Sequence, residues 1–139
     1  VLGGVEIPHS RGLAGHSDAD VLLHAVADAV LGAAGLRDIG AHFPPDDDRY
    51  RDVDSAELLR EVRDRIRARG WAVSQVDTVV VAEAPRLSQY IDQMRARIAD
   101  ILDLPVDDVA VKATTAEGMG AIGRGEGIQA MAVVLLEAR

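Results

Sequence analysis

The chain contains no cysteine, so neither a disulfide nor a thiolate metal site is available to it, and redox chemistry gives no sign of its compartment. Aromatic residues are nearly as scarce: Phe43, Tyr50, Trp71 and Tyr90 are the whole supply, 3% of 139 residues. The core must therefore come from Ala, Val, Leu and Ile, a light filling that goes with close packing or a subunit interface. Positive charge is short as well. Lys and Arg number 15 against 23 Asp and Glu, a formal net charge of −8, and no basic patch with interleaved aromatics occurs, which argues against a nucleic-acid partner. No apolar run reaches the ~18 residues of a membrane span, and no charged-then-apolar leader opens the chain. A soluble, cytoplasmic protein with no membrane partner is the expectation.

What is there suits one domain: 139 residues with a hydrophobic fraction of 48%. Leu2 to Pro8 reads as a glycine-marked turn and a short strand, then HSRGLAGH as a loop. Ser17 or Asp18 would cap a helix running to about Ala34, with Gly35 as its stop. The stretch RDIGAHFPPDDDRYRDVDS is a long loop, and loops of that length tend to be functional. Asp54 or Ser55 caps an amphipathic helix ended by Gly70. Trp71 to Val81 is β-branched and partly alternating, hence a strand, and Pro85 is the expected start of a third helix ending near Leu104. Two further strands, Val109 to Thr114 and IQAMAVVLLEA, flank a glycine-rich connector. The order β-α-α-β-α-β-β predicts an α+β fold, a mixed or antiparallel sheet with helices on one face.

Four stretches carry candidate chemistry. In the first helix, Asp20, His24 and Asp28 fall at i, i+4 and i+8, so they cover an arc of about 80° on an otherwise apolar helix and need partners. Taken alone, the stripe fits a first-turn carboxylate with an interior histidine, or a metal-ligating histidine oriented by a carboxylate. VKATTAEGMGAIGRGEG joins two hydroxyls, a carboxylate, glycines and an arginine behind a strand; these suit a phosphate and a divalent cation, or a plain glycine-rich connection. DIGAHFPPDDD and AEAPR are respectively an acidic loop and a strand-to-helix junction.

Together, GHSDADVLLHAVADAVLGAAGLRDIG, HFP, AEAPR and VKATTAEGMG with GRGEG resemble the 2-C-methyl-D-erythritol 2,4-cyclodiphosphate synthase family, over essentially the whole chain. The resemblance implies a phosphorus–oxygen lyase of non-mevalonate isoprenoid biosynthesis: the 2-phosphate of 4-diphosphocytidyl-2-C-methyl-D-erythritol 2-phosphate attacks the β-phosphorus, CMP leaves and the cyclic diphosphate forms. It implies a homotrimer with sheets facing the threefold axis and active sites between subunits. It makes His24 a ligand of Zn²⁺ or another divalent cation, and Glu117 a ligand of Mg²⁺ or Mn²⁺ at the diphosphate. His16 and Thr115 become the catalytic pair, stabilising the transition state, with Ser17 beside His16 on the substrate. Asp38, Ile39 and Gly40, with Phe43, Pro44, Pro45, Asp46 and Asp47, become the flexible part of the substrate pocket. A neighbouring subunit's cytidine pocket is implied for Ala82, Glu83, Ala84, Pro85, Arg86, Leu87 and Ser88. Thr114, Thr115, Ala116 and Glu117 become the diphosphate cradle, and Arg124 lies near the threefold axis.

The family's two other zinc ligands sit in an Asp-x-His motif upstream of where this chain begins, so residues 1–139 are expected to be a single domain lacking the family's N-terminal strand. Pro45 and Asp46 stand where the family reads Asp-Thr, and Met131 replaces an acidic residue. A trimeric scaffold or nucleotide-binding module with an incomplete active site is the alternative.

Overall fold

The computed structural model describes residues 1–8, 20–50 and 53–139. Helix α1 spans Val21–Ala33, α2 Ile39–His42, α3 Ser55–Ala68, α4 Ile91–Leu102 and α5 Gly120–Gly123; strand β1 spans Trp71–Val81, β2 Val109–Thr114 and β3 Gln129–Ala138. Short 3₁₀ turns cover Asp48–Tyr50, Ser88–Tyr90 and Val106–Asp108.

The sheet has the order β2-β1-β3, with β1 parallel to β2 and antiparallel to β3. The expected mixed sheet is therefore present. Its inner face carries Val73, Val76, Thr78 and Val80 of β1, Val109 and Val111 of β2 and Val134 of β3, all buried. A register shift between Val73 and Gln75 moves the buried phase of β1 from Val73 to Val76. Helix α1 packs chiefly on β3 and α3, and α4 on β2. Leu22, Leu23, Val26, Val30 and Leu31 of α1, Leu59, Val62 and Ile66 of α3, and Met94, Ile98 and Ile101 of α4 fill the space between. Each of these side chains contributes roughly 1.5–3 kcal/mol by leaving water.

The other face of the sheet carries exposed apolar side chains. Met131, Val133 and Leu135 are 51%, 68% and 57% exposed on alternate positions of β3, a row of apolar side chains that no helix of this chain covers among the described residues. No helix among them is long and apolar enough to cross a membrane.

Three local expectations need correction. The N-terminal strand is only a tight turn, with Leu2 and Val5 exchanging backbone hydrogen bonds. The cap of α1 is Asp20, whose side chain accepts from Leu23 N, so the described helix starts later than Ser17 or Asp18 would place it. Pro85 does not start a helix: the Ala84–Pro85 peptide is cis, and α4 begins at Ile91 behind the 3₁₀ turn. The chain first crosses the strand ends, where Ala82 N–H donates to Thr114 O and Glu83 is bound to the loop after β2. The boundaries of β1, the Asp54 cap of α3 and the stop at Gly35 stand as expected.

Candidate functional site

The first group of candidate residues surrounds α1, and its helical stripe divides into three separate jobs. Asp20 is fully buried; its Oδ1 accepts from Gly3 N at 2.9 Å and Leu23 N at 3.0 Å, and its Oδ2 accepts from Gly4 N at 2.8 Å. Only glycine serves at position 3, because φ is +59° and an added Cβ would lie 2.7 Å from Met94 Cγ. Asp28, on the exposed side, accepts from Ile39 N at 2.8 Å and so fixes the start of α2, which Asp38 caps by accepting from Ala41 N at 3.0 Å. The partners that the two carboxylates needed are thus backbone N–H groups. His24 is half-buried, and its Nε2 lies 2.9 Å from the hydroxyl of Ser55 at the start of α3.

Helix α3 then holds the loop that follows α2. His42 donates from Nε2 to Leu36 O at 2.6 Å, and its Nδ1 accepts from Arg65 Nη1 at 2.7 Å. A carbonyl can only accept and a guanidinium only donate, so the two partners assign the neutral ring with its proton on Nε2. Arg65 also donates to Tyr50 Oη at 3.2 Å and Glu61 Oε1 at 3.3 Å, and its guanidinium lies 4.6 Å from the centroid of the Phe43 ring. Phe43 is buried edge-to-face against Tyr50. Beyond the prolines, Arg49 binds Asp47 through its side chain and its backbone N–H, and these hydrogen bonds hold the Asp47 carboxyl below its ordinary range. Pro45 and Asp46 are exposed between these anchors.

A second group lies at the ends of β1 and β2, where Val81 is in register with Thr114. Two loops leave the sheet there side by side. Glu83 Oε1 accepts from Ala116 N at 2.9 Å and Gly118 N at 3.1 Å, and Thr115 Oγ1 accepts from Glu117 N at 3.1 Å. Glu117 has φ +56° and Gly118 φ +74°. Gly123 presses against this turn so closely that a Cβ would fall 2.2 Å from the Gly118 carbonyl carbon. Thr114, Thr115 and Glu117 are exposed, as are Arg86 and Ser88, while Leu87 is buried. Arg124 pairs with Glu126 at 2.8 Å.

The structure therefore ties Asp38 to Asp47 to α1 through Asp28 and to α3 through Arg65, with His24 meeting the start of α3 at Ser55, and it brings Ala82 and Glu83 together with Thr114 to Gly118 in a second group. His16 and Ser17 lie outside the described residues. A depression of about 430 Å³ on the open sheet face, lined by Asp77, Lys112, Val133 and Leu135 among others, includes no member of either group.

An imidazole suits zinc and a carboxylate suits magnesium or manganese. Yet the described residues contain no group of three or more His, Cys, Asp or Glu placed to hold an ion, so they do not by themselves make a metal centre. Sequence reasoning missed Ser55 and Arg65. Arg65 looks like one more basic residue toward the end of an amphipathic helix, and no signal distinguished it; Ser55 was visible only as a capping candidate.

A sequence model of the YgbB family matches residues 1–137. The 2-C-methyl-D-erythritol 2,4-cyclodiphosphate synthase of Moorella thermoacetica is 60% identical over 136 residues, 98% of this chain and 83% of that protein. The synthase of the same name from Methylococcus capsulatus is 60% identical over 139 residues, 100% of this chain and 88% of that protein. Among solved structures, the bifunctional IspDF of Campylobacter jejuni superimposes with a TM-score of 0.94 at 42% identity, covering 100% of this chain and 38% of that longer one. A 2C-methyl-D-erythritol-2,4-cyclodiphosphate synthase described in a CDP-bound form gives 0.90 at 36% identity, covering 99% of this chain and 89% of that one.

Proposed function

The chain belongs to the YgbB family, and on that premise we propose that it converts 4-diphosphocytidyl-2-C-methyl-D-erythritol 2-phosphate to 2-C-methyl-D-erythritol 2,4-cyclodiphosphate and CMP, as a phosphorus–oxygen lyase of isoprenoid biosynthesis. The observation that carries this is the 60% identity to synthases of that name over nearly all of the chain.

The reaction is an intramolecular phosphoryl transfer: an oxygen of the 2-phosphate bonds to the β-phosphorus as the bond to the CMP oxygen breaks. Such a transfer asks mainly for positioning and charge neutralisation. Thr114, Thr115 and Ala116 cradle the diphosphate, and Ala82 to Ser88 receive the cytidine. Asp38, Ile39, Gly40 and the loop from Phe43 to Asp47 border the erythritol phosphate. His16 and Thr115 stabilise the charge that builds on the transferring phosphoryl group, with Ser17 beside them. Divalent cations, Zn²⁺ at His24 and Mg²⁺ or Mn²⁺ at Glu117, supply charge neutralisation when bound, their other donors coming from outside the described residues.

The working form is a homotrimer in which one subunit's α1 group meets the next subunit's strand-end group, with Arg124 near the threefold axis. Two observations support it. The apolar row Met131, Val133 and Leu135 is exposed, with no helix over it among the described residues, and the candidate residues fall into two groups rather than one. We place the enzyme in the cytoplasm, where a cytidine nucleotide substrate is available.

The test is to incubate the purified protein with the cytidyl substrate and Mg²⁺ and follow CMP and the cyclic diphosphate by ³¹P NMR, with metal content measured for the protein and for His24→Ala. Product formation, with about one zinc per chain lost in the variant, is expected. A protein that carries zinc and trimerises but releases no CMP would overturn the reading.

A further inference from the structure

One carboxylate joins the two loops of the strand-end group. Glu83 lies between Ala82 and the Ala84–Pro85–Arg86 turn, half-buried, and its Oε1 receives both Ala116 N–H and Gly118 N–H. Those amides flank Glu117, whose own N–H goes to Thr115 Oγ1. Three successive amides of the loop after β2 are therefore engaged, the outer two by a single oxygen of the loop after β1 and the middle one by Thr115 of their own loop. Converging N–H groups on a turn containing positive φ values form a concavity that suits an anion, and here a side chain of the protein occupies it. The conformation from Thr115 to Gly118 is thus set from the neighbouring loop. Ala82 N–H to Thr114 O, at 3.0 Å, ties the bases of the same two loops.

We infer that Glu83 is a positioning residue that couples nucleoside recognition to diphosphate holding. It does so through its acceptor oxygen and not through its charge. A cytidine settling on Ala82 to Ser88 acts through Glu83 on the backbone that presents Thr115 and Glu117. This rests on the nucleotide reading above, and it assigns Glu83 a task different from touching the base.

The test compares cytidine with CDP, each titrated calorimetrically into the assembled protein with Mg²⁺, for the unaltered chain, Glu83→Ala and Glu83→Gln. The Ala variant should lose about tenfold or more of its preference for CDP over cytidine, the order expected when two hydrogen bonds shaping the diphosphate loop are removed. Glu83→Gln keeps a carbonyl oxygen facing the same two amides and should recover most of that preference. In ¹⁵N spectra the Ala116 and Gly118 amides should shift in the Ala variant and return toward their places in the Gln variant, which also shows that the variants fold.

A CDP preference left intact in Glu83→Ala overturns the coupling. So does an equal loss for cytidine and CDP, which marks a collapse of both loops. A Gln variant as weak as the Ala variant shows that the charge itself is used. If the unaltered protein binds neither ligand, the nucleotide reading falls and the coupling with it.

Discussion

Around α1 the candidate residues are fixed by side chains reaching between helices and into backbone termini, whereas at the ends of β1 and β2 they ride on exposed backbone that a single carboxylate organises. Asp20 is wholly enclosed and Arg65 binds four neighbours across three segments; Thr115, Glu117 and Gly118 are open to solvent. The contrast teaches a division of labour. The first group is bound up with the stability of the fold, so its geometry is determined within one chain. The second is an exposed edge whose shape is set by contacts between two loops.

The comparison predicts that damage to the first group shows in unfolding and damage to the second in turnover. The largest effect is expected from Asp20→Ala, which leaves three amide donors without their acceptor in a buried place; about 3–5 kcal/mol of stability should be lost in chemical denaturation. Asp20→Asn, keeping one acceptor oxygen, should fall between. A loss under about 1 kcal/mol would break the comparison.

Next comes Gly123→Ala. Its Cβ would meet the Gly118 backbone at 2.2 Å, so the turn carrying Glu117 must move. A misplacement of about 1 Å costs about 100-fold in kcat/KM, while the melting temperature stays within a few degrees. A large fall in melting temperature would mean that the strand-end turn is part of the core after all.

Arg65→Met should cost about 1–2 kcal/mol, through the lost donors to His42 Nδ1 and Tyr50 Oη. It should also raise hydrogen exchange at residues 39–50 before it raises exchange in α3.

Arg49→Ala is expected to do least. In the native protein the Asp47 carboxyl titrates below its ordinary value of 3.8 because Arg49 hydrogen-bonds the carboxylate. Any stability from that pair is present above the ordinary value and lost as pH falls through the lowered one. Removing Arg49 should let the Asp47 carboxyl rise toward 3.8 in a ¹³C titration, with no change in unfolding at pH 7, because the pair is exposed.

Where local physics decides, the sequence is a good guide. β-Branched residues from Trp71 to Val81 can do little but extend, and Asp54 followed by an apolar period can do little but start a helix; both elements were legible. Pro85 misled because a proline at a helix start is a local signal, while the route of 82–87 is decided by Glu83 and Ala82 bonding to a loop more than thirty residues away. Helix α2 was illegible because four residues show no period. The stripe of Asp20, His24 and Asp28 announced that partners were needed but not what they were, since Gly3 and Ile39 are distant in sequence and offer only backbone. At the strand ends the types of residue were legible, two hydroxyls and a carboxylate among glycines, but the link through Glu83 was not.

The sheet order has a consequence for how the chain reaches this state. Among the described residues β1 is the first strand in chain order and lies in the middle of the sheet, and β3, which pairs its second edge, comes last. Helices α1 and α3 can form from nearby residues in microseconds, but β1 must wait for a long loop to close before both of its edges are paired. In that interval its free edge, rich in valine, is a template for another molecule's strand. Changes that slow the arrival of β3 should therefore show first as a lower yield of refolding at high protein concentration, with the equilibrium between folded and unfolded chains little altered.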